Sequence, residues 1–199
     1  VKLLLALLLL ATPARAEGTR AEVRLIVLGD FPPALVDAVA EGLTRELQVR
    51  VTRMDPRPLP KSAWYPPRAR YRADRLIRFL AEQVPEKDVR VLGLTTVDIS
   101  TTKGAYADWG VFGLGDLGGP AAVISSFRLR RKARDDAQIR FRVVSTAVHE
   151  VGHTLGLEHC REARCVMQDA EGSIANTDSG TGGLGPECRA KLDATVPAR

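Results

Sequence analysis

The chain has 199 residues, 45% of them apolar and 27% charged, with a formal net charge of +5. That length suits a single domain able to bury a sizeable core, and the composition excludes long-range disorder. The basic excess is too mild to argue for a nucleic-acid partner.

Lys2, the unbroken apolar run Leu3 to Ala11 and the ending Ala14, Arg15, Ala16 have the layout of a secretory signal peptide cleaved after Ala16. The run is about half of the ~20 residues that a membrane span needs, so no stable membrane insertion is expected after cleavage. An exported (periplasmic or secreted) protein of residues 17–199 is the expectation. Without Lys2 and Arg15 it carries 27 basic against 24 acidic residues, a charge of +3. It would begin a few residues before the first strand, leaving no room for an inhibitory pro-segment.

Glu22 to Leu28 is apolar, β-branched and closed by Gly29 and Asp30, which predicts a first strand. Pro32 and Pro33 open a helical pattern to about Leu47, with Leu35, Val36, Val39, Leu43 and Leu47 on one face. Val49 to Arg53 alternates as a second strand. Five prolines between Asp55 and Arg68 predict a semi-rigid loop. A helix is expected from about Ala69 to Gln83, then an apolar strand over Val89 to Ile99 that is buried on both faces. Gly104 to Gly119 is glycine-punctuated, with one or two short strands, and no helix start follows to make it a phosphate cradle. Ala121 to Leu129 is read as a further strand. The basic run Arg128, Arg130, Arg131, Lys132 and Arg134 is answered by Asp135 and Asp136 and reads as a solvated loop. Gln138 to Leu155 is a long helix; the chain beyond Gly156 is irregular, with a short helix near Glu187 to Ala194. Strands interspersed with helices make an α+β (α/β-layered) fold. We expect one domain over 17–199, with an N-terminal lobe 17–156 and a small irregular C-terminal lobe 157–199.

All three histidines fall in one window, at His149, His153 and His159. On a helix His149 and His153 lie one turn apart on a single face. Both can reach one zinc ion, and three protein ligands leave its fourth position open, as catalytic zinc requires. Gly156 can take a positive φ, end the helix and turn His159 back toward the same ion. Glu150, rotated away from the metal, can take a proton from water and pass it to a leaving amine. A chance HExxH match on a surface helix does not account for Gly156 and His159 as well.

The pattern HExxHxxGxxH, from His149 to His159, is the metzincin signature. Cys160, Cys165, Met167 and, further on, Gly185 and Cys188 extend the match, so the chain resembles the archaemetzincin family of zinc metallopeptidases. The resemblance is sharpest over residues 138–192 and extends to Tyr71–Leu80, Leu92–Thr95 and Val111–Gly113. It implies a twisted mixed β-sheet, two backing helices including the HExxH helix, and a C-terminal lobe with a methionine turn. It implies catalytic zinc on His149, His153 and His159, Glu150 as general base and acid, and Met167 as the Met-turn floor beneath the metal. The strand Ala121 to Leu129 would be the edge strand that holds an extended peptide or protein substrate.

The family carries a second zinc on four cysteines, whereas this chain has only Cys160, Cys165 and Cys188, with Gly185 at the fourth place. A closed zinc site takes four ligands. Water or a carboxylate such as Asp169 or Glu187 would have to complete it; alternatively, in an oxidising space, two cysteines pair and one thiol is left over. No tyrosine follows Tyr106 to serve as a further ligand or oxyanion donor. Two other readings stand beside the peptidase. One is an inactive zinc-binding module that holds peptides; the other, a nucleic-acid-binding zinc knuckle, fits export and the missing ligand poorly.

Overall fold

A computed structural model describes residues 19–84, 86 and 88–196; the expected signal peptide lies outside them. In chain order the elements are β1 (Glu22–Val27), α1 (Pro33–Leu47), β2 (Arg50–Arg53), β3 (Trp64–Tyr65), β4 (Arg70–Arg72), α2 (Ala73–Glu82), β5 (Val89–Thr95), β6 (Ile99–Lys103), β7 (Tyr106–Val111), β8 (Gly113–Gly115), β9 (Ala121–Ser125), α3 (Ser126–Leu129), α4 (Asp136–Thr154), α5 (Ile174–Ser179) and α6 (Pro186–Thr195).

The main sheet has the order β2-β1-β5-β9-β8, parallel except for β8, which joins the edge antiparallel to β9. Successive side chains of a strand point to opposite faces. Val23, Leu25, Leu92, Leu94, Ala122 and Ile124 therefore pack into one apolar cluster with α1 and α4. Ile26, Val91, Ala121 and Val123 pack into a second cluster with α2 on the other side. Covering both faces explains why β5 and β9 lack alternation in sequence. A smaller sheet, β3-β4-β6-β7, holds Thr101 to Lys103 and Trp109 to Val111 on the wall of the main cleft.

The expected strands and helices of the first half stand, with shifted ends. Residues 70–72, expected to begin a helix, instead pair with β6, and α2 starts at Ala73. The strand expected over Val89 to Ile99 breaks after Thr95, and Ile99 opens β6 in the smaller sheet. The proline-rich loop contains two 3-10 turns and the two-residue β3.

The larger correction concerns Ala121 to Leu129. Its first five residues form β9, fully buried between β5 and β8, and residues 126–129 form α3, capped by the Ser125 hydroxyl. It is not an edge strand, because its small apolar residues are covered on both faces; the edge on that side is the glycine-rich β8. Arg128 also leaves the expected solvated loop, pairing with Asp98 at 2.6 and 3.1 Å, while Arg130 to Lys132 stay exposed.

The C-terminal segment is tied to α4 through Arg142, which is only 2% exposed. Its guanidinium makes a two-pronged pair with Asp178 of α5, both bonds 2.7 Å, and donates to the carbonyls of Leu129 and Arg131 at 2.9 and 3.0 Å. The ion pair holds the Asp178 carboxyl below its usual range. Removing one partner of a buried pair strands the other charge. Asp178→Ala is expected to cost about 3–5 kcal/mol, read as a lowered Tm; an unchanged Tm would contradict this account of how α5 is held.

Candidate metal centre and cleft

Asp135 caps α4, its carboxylate accepting from the Gln138 N–H at 2.8 Å, so the helix starts two residues earlier than expected. It ends in a Schellman turn: Leu157 N–H donates to the Gly152 carbonyl at 3.0 Å and Gly156 N–H to that of His153 at 2.9 Å. Gly156 has φ +89°, the left-handed value that this turn requires. The chain then reverses and brings His159 to the face carrying His149 and His153, as the spacing predicted.

His149 Nδ1 lies 2.7 Å from the Val166 carbonyl and His153 Nδ1 2.7 Å from that of Leu157. A carbonyl only accepts, so each Nδ1 carries the proton and each Nε2 presents a lone pair. Those Nε2 atoms face one another at 3.1 Å, and His159 Nε2 lies 3.2 Å from that of His149. Facing lone pairs repel unless a cation sits between them. Ligand nitrogens on a tetrahedral zinc are about 3.3–3.4 Å apart, so both of these separations match the ion's needs within a few tenths of an ångström. Burial, with smaller contributions from its neighbours, pushes the His149 pKa down to about 4 and also lowers that of His153, which keeps both rings neutral as ligands must be.

Glu150 is buried beneath β8, against Gly113 and Gly115. Burial pushes its pKa up to about 8. The contact depends on glycine: a Cβ at Gly113 would lie 2.6 Å from Glu150 Cγ, and one at Gly115 would overlap the Glu150 carbonyl oxygen. On the far side of α4, a Cβ at Gly152 would lie 2.7 Å from the sulfur of Met167, which is fully buried. Met167 thus lies under the helix turn that carries the histidines.

These groups line a cleft of about 560 Å³. Phe112, Leu114, Leu117 and Trp109 are its apolar wall, and Lys103 and Asp169 lie near His159 at its mouth. Asp169 Oδ2 is 3.9 Å from His159 Nδ1, an electrostatic neighbour rather than a hydrogen-bond partner. Phe112 and Asp116 pair with β9 through their backbone, so by alternation the backbone of Gly113 and Gly115 points into the cleft.

A second cluster lies nearby. Cys160, Cys165 and Cys188 are free thiols whose sulfurs all lie within 4.8 Å of one another. Burial, the largest influence, raises the pKa of Cys160 and Cys188. Neither carboxylate expected to complete this group does so: Asp169 stands beside His159 instead, and Glu187 is exposed. The Glu162 carboxylate, which the sequence reading did not single out, lies over Gly185 and accepts from the Glu187 N–H at 3.2 Å.

Comparison with known proteins agrees with this geometry. The model of peptidase family M54 matches residues 59–194. The archaemetzincin of Natronomonas pharaonis is 36% identical over 153 residues, 73% of this chain and 84% of its own. Crystal structures of archaemetzincins superpose well: that from Methanopyrus kandleri has a TM-score of 0.76 at 28% identity, covering 92% of this chain and 98% of its own. That from Archaeoglobus fulgidus, complexed with malonate, has a TM-score of 0.72 at 30% identity, covering 85% and 99%.

The buried carboxyl sets a pH signature for the zinc-stripped chain. With its folded pKa raised from 4.5 to about 8, Glu150 folds at no penalty below pH 4.5, and stability falls as pH rises to about 8. His149, lowered from 6.5 to about 4, acts oppositely: its contribution is full above 6.5 and disappears as pH falls through 4. Glu150→Gln is expected to remove the alkaline loss, on the order of a few kcal/mol, and leave the acid limb. Parallel Tm-against-pH curves for the two zinc-free proteins would refute the assignment.

Proposed function

We propose, since this chain belongs to peptidase family M54, the archaemetzincins, and is a zinc metallopeptidase, that His149, His153 and His159 hold its zinc and that Glu150 is the general base and acid of peptide-bond hydrolysis. The observation that carries the reading is the pair of facing Nε2 lone pairs at 3.1 Å, with Glu150 in the same cleft. Zinc bound there would polarise the scissile carbonyl and make a water more acidic.

Glu150 supplies the proton traffic. Burial raises its pKa to about 8 and a nearby divalent charge would lower it, so the two effects oppose one another and keep the carboxylate near neutrality, where a general base works best. It would take the proton of the attacking water and deliver it to the leaving amine. Packing against Gly113 and Gly115 would hold the carboxylate in place, and the carbonyls of Val166 and Leu157 would hold two ligands in the right tautomer. Met167, beneath Gly152, would be the Met-turn floor.

The substrate is a peptide laid along β8. Gly113 and Gly115 turn backbone groups toward the cleft, and an extended chain can add to that edge as a further strand. Phe112, Leu114 and Leu117 would then meet its side chains. The composition of residues 1–16 supports action outside the cytoplasm. Mass spectrometry of the exported protein is expected to find Glu17 at its N-terminus; an uncleaved chain held in the cytoplasm would end that part of the proposal.

Glu150→Ala is expected to lower peptide cleavage by roughly 10²–10⁴-fold while zinc content stays equal to wild type. Cleavage assays on a diverse peptide library, paired with elemental analysis, read both quantities. Wild type and variant equally inert with zinc on each would instead favour a module that only holds peptides.

A further inference from the structure

We propose that Cys160, Cys165, Cys188 and the carboxylate of Glu162 form a second, structural zinc site in which Glu162 takes the place left empty by Gly185. Three thiols whose sulfurs lie within 4.8 Å of one another need little movement to reach the spacing of about 3.8 Å that a tetrahedral zinc–thiolate site imposes. Three ligands do not close such a site. The corner beside position 185, whose N–H reaches Cys165 Sγ, receives no side chain from that residue.

That corner is filled from elsewhere. A Cβ built on Gly185 would overlap the carboxylate of Glu162, carbon and both oxygens alike. Glu162 therefore occupies the volume that a side chain at 185 would enter. Gly185 also adjoins the thiols directly, since its N–H donates to Cys165 Sγ at 3.2 Å. The carboxylate is anchored there by the Glu187 N–H, which donates to its Oε2 at 3.2 Å in the first turn of α6. Glu162 is outside the group of ligand atoms that lie within 4.8 Å of one another, so its carboxylate would have to turn from Gly185 toward the thiols when zinc binds.

Backbone bonds fix the position of the central thiol. Cys165 Sγ receives a second N–H, from Met167 at 3.5 Å, and Cys165 N–H in turn donates to the Glu162 carbonyl at 3.3 Å. Glu162 thus opens the tight turn that ends at Cys165. Cys188, one helical turn beyond Gly185, shares its face of α6. Sulfur-rich sites with one oxygen remain well suited to zinc, which accepts carboxylate at about 2.0–2.2 Å.

The test uses the full reduced chain, metal-stripped and titrated with Zn²⁺ or Co²⁺. Thiolate-to-cobalt charge transfer in the near ultraviolet reports the cysteine site alone, because three imidazoles give no such band; failure here is therefore distinguishable from failure at the histidines. Wild type is expected to bind about two ions per chain, one of them with the charge-transfer band. Glu162→Ala should lose affinity for that ion by about 10-fold or more in a chelator competition. Glu162→Ala with Gly185→Cys, which frees the corner and supplies a fourth thiol, should restore it. Glu162→Gln, nearly isosteric, guards against a folding artefact and should also weaken binding. An undiminished band in both single variants would overturn the proposal, as would a wild-type chain with no band and three titratable thiols or a disulfide.

Discussion

The cleft depends on how closely the backbone of α4 can approach its two neighbours. Gly113 and Gly115 let β8 lie on the helix at Glu150, and Gly152, two residues on, lets the Met167 sulfur rest against the opposite side. A methyl group at position 115 would meet a backbone carbonyl, which cannot rotate aside as a side chain can. Overpacking of that kind typically costs about 1–3 kcal/mol. Here it would also lift the strand from the carboxylate, expose Glu150 to water and remove the desolvation that raises its pKa. Packing and chemistry are therefore set by the same three absent side chains.

The helix end imposes the second constraint. Two of the three rings are oriented by main-chain carbonyls, those of Leu157 and Val166, and both carbonyls lie beyond the Schellman turn at Gly156. The histidines of the helix are thus aimed by the segment that follows it. That segment is closed on itself by the Cys160 N–H, which donates to the Met167 carbonyl at 3.0 Å. Arg142 and Asp178 then fasten the next stretch of chain back to α4 through a largely buried pair. A long helix with polar and apolar residues on several faces becomes a rigid platform because each face has a different partner.

Local signals made much of this legible. The three histidines, Glu150 and the turn at Gly156 lie within eleven consecutive residues, where helix periodicity and glycine's φ decide the geometry. Strands β1, β5 and β9 are legible as apolar runs, and α1 by its proline start. Pairing partners are not local, so β9 could be taken for an edge when it is interior. Its lack of alternation was the available sign, while the true edge, Gly113 to Gly115, has hardly any side chains to signal with. The cap at Asp135 was overlooked although Gln138 follows at capping-box spacing. Asp169 and Glu187 were the carboxylates the sequence suggested beside the cysteines; that Glu162 folds back over Gly185 is set by the fold, not by its place in the sequence. Arg142 gave no sign of its burial, since its compensating charge lies thirty-six positions away.

The histidine and cysteine clusters are joined mechanically through adjacent residues, His159 and Cys160. His159 is the most exposed of the three imidazoles, with 47% of its side chain accessible, and no hydrogen bond to its Nδ1 is formed among the described residues. Its helix-borne counterparts have a carbonyl behind each ring; His159 has only the chain beside it. That chain is Cys160, whose sulfur joins the thiol group and whose N–H binds Met167. Restraining Cys160 therefore restrains the backbone of its neighbour, and ordering entropy that His159 would otherwise lose on taking up zinc is already lost in the fold. On this view the thiols preorganise the third ligand, so a chain without the fourth cysteine would retain the cluster for as long as another group can close it.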